Sequence, residues 1–219
     1  MRVREELLVV NSNEVRRQWA ERSGEYSPEY YAYYGPDETS ETIRALLERF
    51  VDRDATVLEL GCSSGRHLSH LYEHGFENLA GIEVNDDAFD VMEETYPDLA
   101  ADGTFYLEAI EDVVGDFDDG QFDAVYSVET LQHIHPNAEW VFTDLVRIAD
   151  DLLITVESER ERETDAAEPD VKYVNDDVPL YYRDWHRIFT DLGFLEVDTR
   201  SGKRDTIRTF RSAQDRSTR

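Results

Sequence analysis

The stretch TVLELGCSSGRHLSHL, residues 56 to 71, joins an apolar run of strand type to an amphipathic run of helix type through Gly61, Cys62, Ser63, Ser64 and Gly65. Small residues at such a junction let the chain bend tightly, and the helix that follows offers its first amides to a ligand. A dinucleotide would need a glycine at the middle of the turn for its pyrophosphate to approach; Ser63 stands there, which disfavours a hydride cofactor. Glu59, two residues before Gly61, is an acid suited to the turn's amides or to a ligand's ammonium, or else to solvent at a strand edge. His133 and His135 alternate in HIHP. A metal pair is one reading of them and an architectural role another; a general base or substrate contact at His133, with no metal, is the one adopted. Cys62 is the single cysteine, so no disulfide forms within the chain, and with no base paired to it in a motif it reads as a small buried hydrophobe. His67, His70 and His74 fall on neighbouring helical faces and read as a packing or surface row.

The elements that must position these residues follow from pattern. Short apolar runs at 56 to 60, 79 to 84, 104 to 108, 122 to 128 and 152 to 157 read as buried parallel strands. Amphipathic stretches at 66 to 73, 86 to 96 and 137 to 148 read as the crossover helices between them, with Pro136 suited to the first turn of the last. A polar stretch from 159 to 177 reads as an exposed loop, 178 to 193 as a helix ending at Gly193, and 194 to 199 with 206 to 211 as a closing hairpin around RSGKRD.

Composition bounds the partners. The chain has 219 residues, enough for one sizeable α/β domain. Its net charge of −28 comes from 50 acids against 22 bases, of which only Lys172 and Lys203 are lysines. Phosphate would be repelled from most of such a surface, so nucleic acid is disfavoured as a partner. Dispersed acids with arginine in place of lysine fit a protein of high-salt cytoplasm, where screening shortens self-repulsion to roughly 3 Å at 1 M. No run approaches the roughly 18 apolar residues of a membrane span, and the expected location is cytoplasmic.

VLELGCSSGRHLSHL, LAGIEVNDDAFDVM, AIEDVVGDFDDGQFDAVYSVETLQHIHP and YYRDWHRIFTDLGF together resemble, in order, the motifs of class I S-adenosylmethionine-dependent methyltransferases; Ser63 departs from the family's central glycine. The resemblance spans roughly residues 40 to 212. It implies a Rossmann-like sheet of seven mostly parallel strands, helices on both faces and a C-terminal antiparallel hairpin. It further implies S-adenosylmethionine as cofactor, held by Glu59, Gly61, Cys62, Ser63 and Gly65 at the first turn. Glu83 would take the two ribose hydroxyls, with Val84 beside it; Ile110 and Glu111 would lie by adenine, Ser127 and Val128 beneath the sulfonium.

Residues 1 to 40 read as a helical lid ahead of a methyltransferase domain over 41 to 219. The lid holds Trp19 and five tyrosines between Tyr26 and Tyr34, flanked by Gly24 and Gly35. Tyr30, Tyr31 and Tyr34 are the acceptor-binding candidates, able to stack on a planar acceptor or to face a cationic one, unless they pack on the sheet edge. Tyr182 and Arg183 rank second. The expected function is methyl transfer to a small molecule. The alternatives are a non-catalytic protein that senses S-adenosylmethionine and a nicotinamide-dependent dehydrogenase.

Overall fold

The computed structural model describes residues 11–159, 170–174 and 178–213. Three helices precede the sheet: α1 (Ser12–Ala20), α2 (Pro28–Tyr34) and α3 (Glu38–Phe50). Each starts on a side-chain cap, Asn11 accepting from Glu14, Ser27 from Tyr30 and Asp37 from Thr39 and Ser40. There follow β1 (Thr56–Leu60), α4 (Arg66–Glu73), β2 (Asn78–Glu83), α5 (Asp87–Thr95), α6 (Pro97–Asp102), β3 (Thr104–Leu107) and α7 (Ile110–Val113). The chain continues through β4 (Phe122–Val128), α8 (Val141–Ile148), β5 (Ala149–Glu157), β6 (Asp170–Val174), β7 (Val178–Tyr182), α9 (Trp185–Asp191), β8 (Phe194–Ser201) and β9 (Thr206–Ser212).

The central strands β1, β4 and β5 bury both faces. In β1, Leu58 and Leu60 pack with Leu145 and Trp185 on one side, while Val57 packs with Leu47 and Leu71 on the other. Each such side chain withdrawn from water contributes on the order of 2 kcal/mol. The seven-stranded sheet runs β3-β2-β1-β4-β5-β9-β8. Strands β1 to β5 are parallel, and β9 and β8 close the sheet as an antiparallel pair. The winding reverses between β1 and β4, where Leu60 sits in register with Ile82 of β2 on one side and Ser127 of β4 on the other. A crevice at the carboxyl ends of the strands opens at such a reversal.

Three expectations change. The stretch 178 to 193 is β7 followed by α9, not one helix. VPLYY is β-branched and aromatic, Val178 to Tyr182 pair with β6, and Asp184 starts the helix by accepting from the Arg187 amide at 2.9 Å. Strand β6 falls inside the expected polar loop, of which 160–169 and 175–177 lie outside the described residues. The expected helices at 86 to 96 and 137 to 148 are shorter: Pro97 restricts Tyr96 and starts α6, and Pro136–Ala138 form a 3-10 turn ahead of α8. Among the described residues no helix is long and apolar enough to cross a membrane.

Candidate active site

One cavity of about 1050 Å³, its mouth included, occupies the crevice. The ends of β1, β2, β3 and β4 make its floor, and α1, α2 and the chain between them make its cover. Of the residues expected from sequence, Glu59, Gly61, Cys62, Ser63, Glu83, Val84, Ile110, Glu111, Val128, His133 and Tyr31 line it together.

The turn after β1 is tight because three of its five residues take left-handed backbone: Gly61 at φ +69°, Ser63 at +48° and Gly65 at +79°. Gly61 is required by a neighbour as well, since a Cβ there would lie 2.4 Å from Thr130 Oγ1. Gly65 is placed differently from Gly61, Cys62 and Ser63. It stands outside the cavity lining, and its missing side chain makes room for Met92 of α5. Cys62 is buried beside Gly81, and burial pushes its thiol well above the ordinary range, which keeps it protonated.

Two carboxyls, half-buried Glu83 and buried Glu59, define the polar end. Glu83 accepts from the amides of Val84 at 2.7 Å and Asn85 at 2.9 Å on Oε1, and from Ser63 at 2.8 Å on Oε2. Burial raises its pKa and the three amides draw it back. Oε1 is thereby filled, whereas Oε2 keeps acceptor capacity for a further hydroxyl; a second hydroxyl would have to share. This refines the expected even, bidentate acceptance. Glu59 is buried against Tyr126, whose hydroxyl donates to it at 2.9 Å. Burial pushes the Glu59 carboxyl up to about 8 despite that bond.

Across the cavity, His133 Nδ1 lies 2.9 Å from the Pro179 carbonyl of β7. An acceptor oxygen there fixes the proton on Nδ1 and leaves Nε2 with its lone pair. Burial lowers the His133 pKa to about 4, so the ring stays neutral. Its chain segment is clamped by Glu157 at the end of β5, which accepts from Ser127 Oγ at 2.8 Å and from the amides of Thr130, Leu131 and Gln132 at 3.2, 3.0 and 3.2 Å.

The remaining candidates stand elsewhere. Ser127 is buried outside the lining, its hydroxyl committed to Glu157. Tyr30 is half-buried among Tyr26, Tyr31 and Tyr34, and Tyr34 is 62% exposed. Neither lines the cavity, because α2 turns that side toward solvent. Tyr182 closes β7 away from the cavity. Arg183 is buried and binds the carbonyls of Ile134 at 2.5 Å and Leu131 at 3.4 Å, which makes it a brace for the His133 segment rather than a ligand contact. His135 accepts from the Asn137 amide as a turn cap, and no metal-type cluster occurs among the described residues.

Sequence reasoning passed over Trp19, Arg22, Tyr26, Arg66, Asn85, Glu129 and Thr130 as site residues, all of which line the cavity. Asn85, two residues after Glu83, ties the cover down by donating to the carbonyls of Trp19 at 3.3 Å and Arg22 at 3.2 Å. Its position before a helix was a usable signal; that of Arg22 was only its neighbourhood of aromatics. Glu129 takes φ +49° at the exit of β4, a strained setting of the kind that accumulates at sites.

Residues 57–151 match the family model described as a methyltransferase domain. None of the curated proteins compared matches the chain. Among solved structures, a 1,6-didemethyltoxoflavin-N1-methyltransferase of Burkholderia thailandensis, with 1,6-didemethyltoxoflavin and S-adenosylhomocysteine bound, is similar at 14% identity and TM-score 0.63, over 81% of this chain and 79% of that one. Magnesium protoporphyrin IX methyltransferase of Synechocystis PCC 6803, with S-adenosylmethionine bound, is similar at 17% identity and TM-score 0.62, over 93% of each chain. The [4+2]-cyclase SpnF is similar at 15% identity and TM-score 0.60, over 83% of this chain and 65% of its own. At these identities the likeness is one of fold. The matched stretch supplies β1 through β4 and the antiparallel pair completes the sheet, so residues 57–151 carry a methyltransferase domain.

Proposed function

We propose that this protein transfers a methyl group to a small molecule seated between the β4 exit and the cover formed by α1 and α2. The observation that carries the reading is the single cavity in which Glu59, Glu83 and the Gly61 turn face Trp19, Tyr31 and His133. The donor set fits the cofactor: a half-buried carboxylate with spare capacity at Glu83 for ribose hydroxyl, a buried acid at Glu59 for an ammonium, and apolar Ile110 and Val84 for the base. When bound, S-adenosylmethionine supplies an electrophilic methyl on sulfur, whose positive charge already activates the leaving group.

The chain's own contribution is then placement and exclusion of water. An ammonium at Glu59 favours its ionised form, so a proton leaves that carboxyl as the charge arrives. His133, neutral with Nε2 free of its proton, accepts a hydrogen from an acceptor hydroxyl or amine and turns its lone pair toward the methyl group. Residues 1–40 serve as the cover in this reading, of which 11–40 are described.

Calorimetry with S-adenosylhomocysteine, followed by mass analysis of candidate acceptors incubated with S-adenosylmethionine, tests the proposal. Binding and a methyl's gain in acceptor mass are expected. Failure to bind overturns it, and binding with no transfer to any acceptor supports a non-catalytic sensor instead.

A further inference from the structure

Arg22, two residues beyond α1, is set apart by its charge environment. Every other described arginine has a carboxylate within 4.0 Å. Arg22 gives its Nε to the Glu25 carbonyl at 2.9 Å and has no carboxylate partner among the described residues. In a chain with 50 acids for 22 bases, such a partner is easily found, and this arginine lines the cavity instead. Four of its five N–H donors are left for another group.

A second observation points the same way. Trp19, also in the lining, has its indole N–H buried with no acceptor. A buried donor without an acceptor is costly unless a ligand supplies one. The cavity's aromatic faces meanwhile hold the protein's own cations. Arg22 lies 5.8 Å from the centre of the Trp19 ring and 5.6 Å from that of Tyr26, and Arg66 lies 4.8 Å from Tyr31. A cationic ligand would meet a guanidinium at each of these rings, where an anionic one meets a partner. Trp19 in turn stands 4.8 Å, ring to ring, from His133, which brings its side chain to the His133 end of the cavity, while Asn85 holds the backbone carbonyls of Trp19 and Arg22.

We infer that the methyl acceptor is an aromatic or heteroaromatic acid, its ring among Trp19, Tyr26 and Tyr31 and its anionic group received by Arg22 and the Trp19 N–H. The inference rests on the methyltransferase reading above. The cofactor's amino-acid end also carries a carboxylate, and the test separates the two sources.

The full chain and its R22Q and R22K variants are titrated with S-adenosylhomocysteine and with 5′-deoxy-5′-methylthioadenosine, which lacks the amino-acid end. With S-adenosylhomocysteine saturating, hydroxybenzoates, hydroxynaphthoates and indole carboxylates are then titrated, each paired with its carboxamide. At least one acid is expected to bind the wild type about tenfold more tightly than its amide. R22Q should abolish that preference and R22K should keep most of it, with S-adenosylhomocysteine affinity held within about twofold. The inference is overturned if no acid outbinds its amide. It is equally overturned if R22Q weakens S-adenosylhomocysteine but not methylthioadenosine, which assigns Arg22 to the cofactor's carboxylate. A wild type that binds no S-adenosylhomocysteine rejects the functional reading itself.

Discussion

The floor and the cover of the cavity are built on opposite principles. On the floor, carboxyls at strand ends organise backbone amides: Glu83 holds three and Glu157 holds three with a serine hydroxyl. In the cover, aromatic rings organise arginines, and polar groups are left for a ligand to satisfy. The floor therefore has its geometry before anything binds. The cover has a chemistry but fewer internal obligations, which suits the acceptor-selecting part proposed for it.

If the floor is rigid by design, the largest effect should come from disturbing its turn. Gly61→Ala forces a Cβ against Thr130 at left-handed φ, and is expected to lower stability by about 2 kcal/mol and S-adenosylhomocysteine affinity at least about tenfold. Thr130→Ala in the same chain should recover part of both, as read by thermal melts and calorimetry; full independence of the two substitutions would break the picture of a packed turn. Glu83→Ala should weaken S-adenosylhomocysteine by about 2 to 3 kcal/mol, the scale of charge-assisted bonds to hydroxyl. Unchanged affinity would remove Glu83 from the cofactor.

The cover is expected to behave otherwise. Removal of residues 1–35 should leave a folded domain whose S-adenosylhomocysteine affinity falls by no more than about tenfold, roughly 1.4 kcal/mol. Circular dichroism and calorimetry check this, and unfolding would show that the aromatics are core.

A pH series sharpens the contrast further. The Glu59 carboxyl has its folded pKa raised to about 8 by burial, so its contribution to stability is full below about 4.5 and is lost as pH rises toward 8. Glu59→Gln should accordingly gain on the wild type between pH 5 and 8, by at most about 1.4 kcal/mol per unit, in denaturant titrations. The smallest effect concerns the surface both halves share: raising salt into the molar range should lift the melting midpoint by a few degrees, on the order of 1 kcal/mol, through screening of the acidic exterior. A flat or falling midpoint would reject adaptation to salt.

The floor was legible in the sequence because its cause is local. Strands buried on both faces read as continuous apolar runs, a tight turn asks for glycine, and Glu83 ends a strand at a fixed distance from that turn. The cover and the braces were not, because their roles arise only on packing. Arg183 looks like a pocket residue beside Tyr182 until Ile134 and Leu131 come to it across the fold. Arg22 looks like any surface base until every other described arginine is seen to be matched. Glu157 gave no sign, since an acid at the end of a strand is ordinary and the amides it gathers lie about 25 residues earlier.

That Glu157 clamp also bears on hydrogen exchange. By gripping Ser127, Thr130, Leu131 and Gln132 from a central strand, it gives the segment under His133 the slow hydrogen-exchange clock of the sheet. The cover is fastened through bonds at its rim, from Ser64 to the Pro28 carbonyl, from Asn85 to the end of α1 and from Arg16 to Asp112, and so keeps a faster one. Hydrogen exchange is accordingly expected to run slower over Thr130 to Gln132 than over α1 and α2, the two regions meeting where Trp19 lies against His133.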